Sequence, residues 1–210
     1  MKIYFKTVIP LCFSLVLASA GLIIYLIKPP INDACGGNVI AGSNSKIGGQ
    51  FSLTNVNNEK INSTNIINKP ALIYFGYSFC PDVCPFDLQR NMIAIDILDE
   101  QNMRITPIFI TIDPIRDTPK RLKEFSTFVH PKLIALTGSS DEIREVMRLF
   151  KVYGQKSGEN SANNEDYLMD HSAFTYLVDS SGKFIDYFNR KISAEEMADR
   201  INCYFKKEIR

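Results

Sequence analysis

Residues 71–85 read ALIYFGYSFCPDVCP. The first seven are almost continuously apolar, which is the length and pattern of a strand covered on both faces. A helix is expected over about 85–99, and a second apolar run, ITPIFITI at 105–112, supplies another buried strand. Two strands joined through a helix make a βαβ unit with parallel strands. Open α/β sheets hold their sites in the loops at the C-terminal ends of such strands. In this chain that place is taken by Cys80 and Cys84, each followed by a proline.

Downstream, Thr118 and Pro119 supply an N-cap and a first-turn proline for a helix ending near His130. Residues 133–137 form a strand candidate, and Ser139 with Glu142 makes a capping box. Beyond it, Ile143, Val146, Met147 and Phe150 follow the helical i, i+3, i+4, i+7 rule. Residues 173–178 and 183–188, joined by DSSG, read as a hairpin, and Ser193 caps a terminal helix. Upstream, FSLT at 51–54 and KIN at 60–62 flank a polar turn and read as an initial hairpin. The expected fold is α/β: a mixed sheet with helices on both faces, in one domain over 49–210.

With 45% hydrophobic and 22% charged residues the chain can build a core. Its net charge of +1 provides no basic excess for phosphate backbones, which excludes nucleic acid as the expected partner. Residues 8–27 carry no charge and as a helix would be about 30 Å long, matching a bilayer core. Ala18-Ser19-Ala20 has the form of a cleavage site, but the apolar run continues to residue 27, longer than a cleavable segment needs. We therefore expect a short cytoplasmic N-terminus and a transmembrane anchor in 1–28, a Gly-, Asn- and Ser-rich tether in 29–48, and an exported domain. Without an Arg- and Ser-rich transit sequence, the expected location is a bacterial inner membrane with the domain in the periplasm.

Five Cys and two His leave a short list of chemical groups. Cys12 falls in the apolar span and reads as a small apolar residue. Cys35 lies in the tether, lacks the apolar residues of a lipidation motif before it, and reads as a free or opportunistically paired thiol. Cys203 falls off the face of the terminal helix defined by Met197, Ile201 and Tyr204, and reads as a bystander. Cys80 is expected in a loop and Cys84 at the helix edge with Pro85 opening the helix, because a residue before proline is biased away from the α region. Helix-terminal amides favour thiolate there, at Cys84 in particular. Such a pair can take a soft metal or close into a disulfide. A third ligand would be an imidazole. His130 ends a helix and is expected at the surface near its last carbonyls. His171 enters a core strand after a polar loop, and spacing alone leaves it open between structural residue and ligand.

Three motifs in order, GYSFCPDVCP at 76–85, DPIRDTP at 113–119 and YLMDHS at 167–172, make the chain resemble the SCO/SenC proteins, membrane-anchored copper proteins needed for assembling cytochrome c oxidase. The resemblance covers about residue 48 to the end of the last helix. It implies a thioredoxin-like fold in which Cys80, Cys84 and His171 bind one copper ion, as Cu(I) or Cu(II). Asp82 and Asp170 match acidic positions of the family and are candidates for supporting the ligands. Asp113, Arg116 and Asp117 match the middle motif, whose placement implies a βα loop near the site. The implied recipient is the CuA centre of oxidase subunit II, by copper transfer or by reduction of that subunit's cysteines, with another copper chaperone as a donor. A disulfide between Cys80 and Cys84 would switch binding off, since metal needs the reduced pair. The competing expectation is a membrane-tethered thiol-disulfide oxidoreductase using Cys80 and Cys84 without metal, for which the usual spacing is CxxC. Zinc is a weaker third reading, since structural zinc takes four protein ligands.

Overall fold

The computed structural model describes residues 35–37, 47–157 and 167–206. The initial hairpin forms as read, with β1 (Ser52–Asn55) antiparallel to β2 (Lys60–Asn62), followed by the single turn α1 (Ser63–Ile66). Next come β3 (Ala71–Gly76), α2 (Val83–Glu100) and β4 (Thr106–Thr111). β3 and β4 are parallel, with Ala71 opposite Thr106 and Gly76 opposite Thr111, and every residue of β3 is buried. α3 (Pro119–Val129) starts at Thr118, whose hydroxyl accepts from Arg121 N–H, and leads to β5 (Ile134–Thr137). α4 (Ser140–Phe150) carries the full capping box of Ser139 and Glu142, and four apolar residues of its inward stripe are buried.

Two short strands then pair outside the main sheet: β6 (Gly154–Ser157) and β7 (Leu168–His171). β8 (Thr175–Val178) and β9 (Phe184–Phe188) form the later hairpin, and α5 (Ala194–Lys206) closes the chain. The seven-stranded sheet runs β2-β1-β5-β4-β3-β8-β9, mixed in direction. Successive residues of β3 show how it is covered. Tyr74 bonds Asp87 of α2, whereas Phe75 packs on Phe150 of α4 with ring centroids 5.4 Å apart. Strand side chains alternate, so α2 and α4 lie on opposite faces. Phe109, opposite Tyr74 in the ladder, meets Phe125 of α3, which puts α3 on the side of α2. This is the thioredoxin-like arrangement, with helices flanking a central mixed sheet.

Three sequence expectations are corrected. α2 begins at Val83, two residues before Pro85, so Cys84 lies inside the first turn. The first turn of a helix has no intrahelical use for its N–H groups, so Pro85 costs it nothing, and the bias against helix before proline is overridden. The hairpin of β6 and β7 was not foreseen, because GQKS and LMDH are short and largely polar. Cys203 is no bystander: it is bonded to Cys35 across 168 residues. Helical periodicity cannot report a partner so distant in sequence. The apolar stretch 8–27, Cys12 and most of the tether lie outside the described residues. Among the described residues no helix is long and apolar enough to cross a membrane.

Candidate metal centre

Cys80, Cys84 and His171 converge from a loop, a helix start and a strand end. One sulfur of each cysteine and one ring nitrogen of the histidine all lie within 4.8 Å of one another. β3 and α2 bring the cysteines there, since the chain leaves the sheet at Gly76 and re-enters a helix at Val83. β7 brings His171, which lies in register with Gly154. Its Nδ1 is 3.0 Å from the carbonyl of Ser172, and a carbonyl only accepts, so Nδ1 carries the proton. Nε2 is thereby left facing Cys84 Sγ at 3.6 Å. Two sulfurs and an imidazole nitrogen so placed form a soft donor set that fits a copper ion.

The two thiols differ. Cys84 is 1% exposed, and its hydrogen bond to Cys80, with burial, pushes its pKa far above the ordinary thiol range. Cys80 is half-buried and is held down at about 3, first by the hydrogen bond from Cys84 and further by the backbone N–H groups of Cys84 and Asp82. The Cys84 N–H lies 3.4 Å from Cys80 Sγ. The helix-start amides thus serve the sulfur that precedes the helix. This reverses the expectation that Cys84 is the stabilised thiolate, because Cys84 sits within the turn and below its free amides.

Sequence reasoning missed the packing beneath Cys84. A Cβ on Gly76 would lie 2.9 Å from Cys84 Sγ, so only glycine lets the sulfur approach the strand this closely. Tyr74, whose phenol is raised chiefly by burial, donates to the buried Asp87 at 3.2 Å and borders Cys84. Asp87 pairs with Arg90 at 3.0 Å, and Asn91 continues the network to Thr175 of β8 at 2.9 Å. The available signals were an i, i+3 carboxylate after Cys84 and a tyrosine inside a buried run.

The middle motif surrounds the site. Asp117 accepts from Ser78 N–H at 3.0 Å, Ser78 Oγ at 2.6 Å and Thr111 Oγ1 at 2.6 Å. Asp113 pairs with Arg116 at 2.6 Å and accepts from the Tyr167 hydroxyl at 2.7 Å. Asp82 is exposed and its side chain does not cap α2. Asp170 is exposed and alternates to the opposite side of β7 from His171. His130 lies apart from the three ligand candidates: its Nε2 is 3.4 Å from Asp96, and only its main-chain N–H meets a helix carbonyl, that of Ser126.

The SCO1/SenC family model matches residues 41–206. An SCO2-like protein of Rickettsia conorii is 40% identical over 202 residues, covering 95% of this chain and 98% of its own length. The crystal structure of Arabidopsis thaliana ScoI with copper bound superposes with a TM-score of 0.72 at 35% identity, covering 77% of this chain and 99% of that one. Yeast Sco1 with copper bound gives 0.71 at 35% identity, covering 77% of this chain and 89% of that one. Fold, motif order and these matches agree over the whole described domain: the chain belongs to the SCO1/SenC family.

Proposed function

We propose that this chain is a copper-binding protein of cytochrome c oxidase assembly, which delivers copper to the CuA centre of oxidase subunit II or prepares the cysteines of that centre. On this reading residues 8–27 anchor it in a bacterial inner membrane, residues 49–210 face the periplasm, and another copper chaperone loads it. The observation that carries the proposal is the meeting of two sulfurs and one oriented imidazole nitrogen within 4.8 Å. Relatives at 35% identity with the same fold hold copper. Thiolates select Cu(I) over hard cations, and a three-donor set leaves room for an incoming ligand of a partner. Cys80 enters as a ready thiolate, Cys84 gives up its proton on binding, and Ser172 keeps His171 Nε2 turned inward.

A titration of the reduced full chain in detergent against a competing Cu(I) chelator tests this. One Cu(I) should bind per chain, and His171→Ala should weaken binding while leaving oxidation of the dithiol intact. An affinity indifferent to His171→Ala, or to Cys80→Ser, overturns the site. The second reading, a thiol-disulfide oxidoreductase, is favoured by the unequal thiols. Cys80 thiolate would attack a substrate disulfide, releasing one substrate thiolate and forming a mixed disulfide, and Cys84 would then expel the second substrate thiolate and close the Cys80–Cys84 disulfide. That chemistry needs no His171 ligand, so the same variant separates the two readings.

A further inference from the structure

His171 stands on the two-stranded sheet of β6 and β7, whereas the cysteines hang from the seven-stranded sheet and α2. The core ladder therefore does not fix the distance from His171 to the thiols. It depends on what ties the hairpin to the body. Met169 N–H donates to the Tyr77 hydroxyl at 3.2 Å. A further tie among the described residues is Tyr167, the residue before β7, held at both ends by the loop after β4. Its hydroxyl donates to Asp113 at 2.7 Å, its carbonyl accepts from Arg116 at 2.8 Å, and the guanidinium lies 3.6 Å from its ring centroid. Asp113 and Arg116 pair with each other at 2.6 Å, both nearly buried. The same guanidinium lies 4.9 Å from the ring of Phe79, the neighbour of Cys80, and Asp117 holds Ser78 in that loop. One short loop thus grips both the segment bearing Cys80 and the strand bearing His171.

We propose that Asp113, Arg116 and Tyr167 are positioning residues: a brace that sets the separation of His171 from the two thiols. Arg suits this place because one planar group can donate sideways to a carboxylate and a carbonyl while its face lies on aromatic rings. Its contribution to metal affinity passes mainly through His171, whose strand Tyr167 leads into. The metal arm of the test rests on the copper reading of the site, whereas the second arm needs no metal.

In the full chain, reduced and in detergent, Arg116→Ala should weaken Cu(I) binding by about 10- to 100-fold, the usual effect of losing a group that orients a ligand. Tyr167→Phe, which keeps the ring and removes only the hydroxyl, should give a smaller loss in the same direction. In a His171→Ala background, Arg116→Ala should cost much less than it does in the wild type, since both act mainly on one ligand. Additive losses, or wild-type affinity in both single variants, overturn the brace. Amide exchange of residues 168–171 in the copper-free protein supplies the second arm. It should quicken in Arg116→Ala and in Tyr167→Phe while β3 stays protected, and unchanged exchange in both overturns the brace. A wild-type chain that binds no copper overturns the proposed function and leaves this second arm to decide.

Discussion

Cys80 and Cys84 stand four residues apart and remain thiols, whereas Cys35 and Cys203 stand 168 residues apart and are joined as a disulfide. The first pair is placed by rigid elements: a buried strand, a glycine that admits a sulfur, and the amides of a helix start. Hydrogen bonding then divides it into one thiolate and one thiol. The second pair fastens the segment before β1 to the terminal helix, and its contribution is closure of the chain. Nearness in sequence made a reactive pair, and distance in sequence made a structural one. The contrast breaks if exchanging serine for cysteine affects both pairs alike.

The largest effect is expected at the first pair. Zinc sites of four protein ligands gain about 10 to 16 kcal/mol, or roughly 2.5 to 4 kcal/mol per ligand. On that scale Cys84→Ser should lower Cu(I) affinity by about 100- to 1,000-fold, read by chelator competition. Replacing Cys35 and Cys203 together by serine should leave that affinity unchanged. The double variant should instead lose stability. Opening so long a loop is expected to cost about 2 to 5 kcal/mol, a fall in Tm of roughly 5 to 20 °C by calorimetry. A double variant that melts with the wild type would show that the bond closes a contact already held by packing.

The difference between the pairs also explains what could be read from sequence. The βα unit at 71–111, the capping box of Ser139 and Glu142 and the hairpins of β1 with β2 and β8 with β9 announce themselves through local pattern, and the structure has them. Cys80 and Cys84 were legible in CPDVC, whereas His171 was singled out as a ligand only through the family resemblance of YLMDHS, and the structure brings the three together. What stayed hidden depends on contacts without local period: the bond between Cys35 and Cys203, the polar hairpin of β6 and β7, and the brace from Arg116 to Tyr167. Pro85 misplaced the start of α2 by two residues, and so misassigned the thiolate. The motif DPIRDTP was visible, but its job is defined by residues about 40 and 50 positions away, Ser78 and Tyr167.

Glycines beside each pair sharpen the contrast at a smaller scale. Gly76→Ala places a methyl 2.9 Å from both Cys84 Sγ and a ring carbon of Tyr74, inside a packed core. Such overpacking should cost about 1 to 3 kcal/mol in urea unfolding, and should weaken Cu(I) binding because the displaced atom is a ligand sulfur. Gly36, next to Cys35, has φ +70° and open space around its Cβ position. Gly36→Ala meets only backbone strain of about 1 kcal/mol and should leave copper binding alone. Equal copper effects at the two glycines would contradict the separation of roles.

The smallest expected change is in how Cys80 responds to pH. An ordinary thiol, with a pKa near 8.5, gains thiolate about tenfold per pH unit through neutrality, and its alkylation rate rises accordingly. Cys80 is held at about 3, so it is thiolate already at pH 5 and has almost nothing left to ionise by pH 8. Its alkylation by iodoacetamide in the reduced, copper-free chain should vary less than about twofold across that range, while Cys84, buried and pushed upward, should stay unmodified. The sign follows from the donors: the Cys84 thiol and the amides at the start of α2 stabilise the ionised sulfur, so acid must reach well below pH 5 before a proton returns. Cys84→Ala removes the thiol donor, and the rate should then rise with pH at a midpoint shifted upward. A steep profile in the wild type, or the same flat profile in Cys84→Ala, would mean that the two sulfurs do not share a proton and that the reactive pair is not divided as the geometry requires.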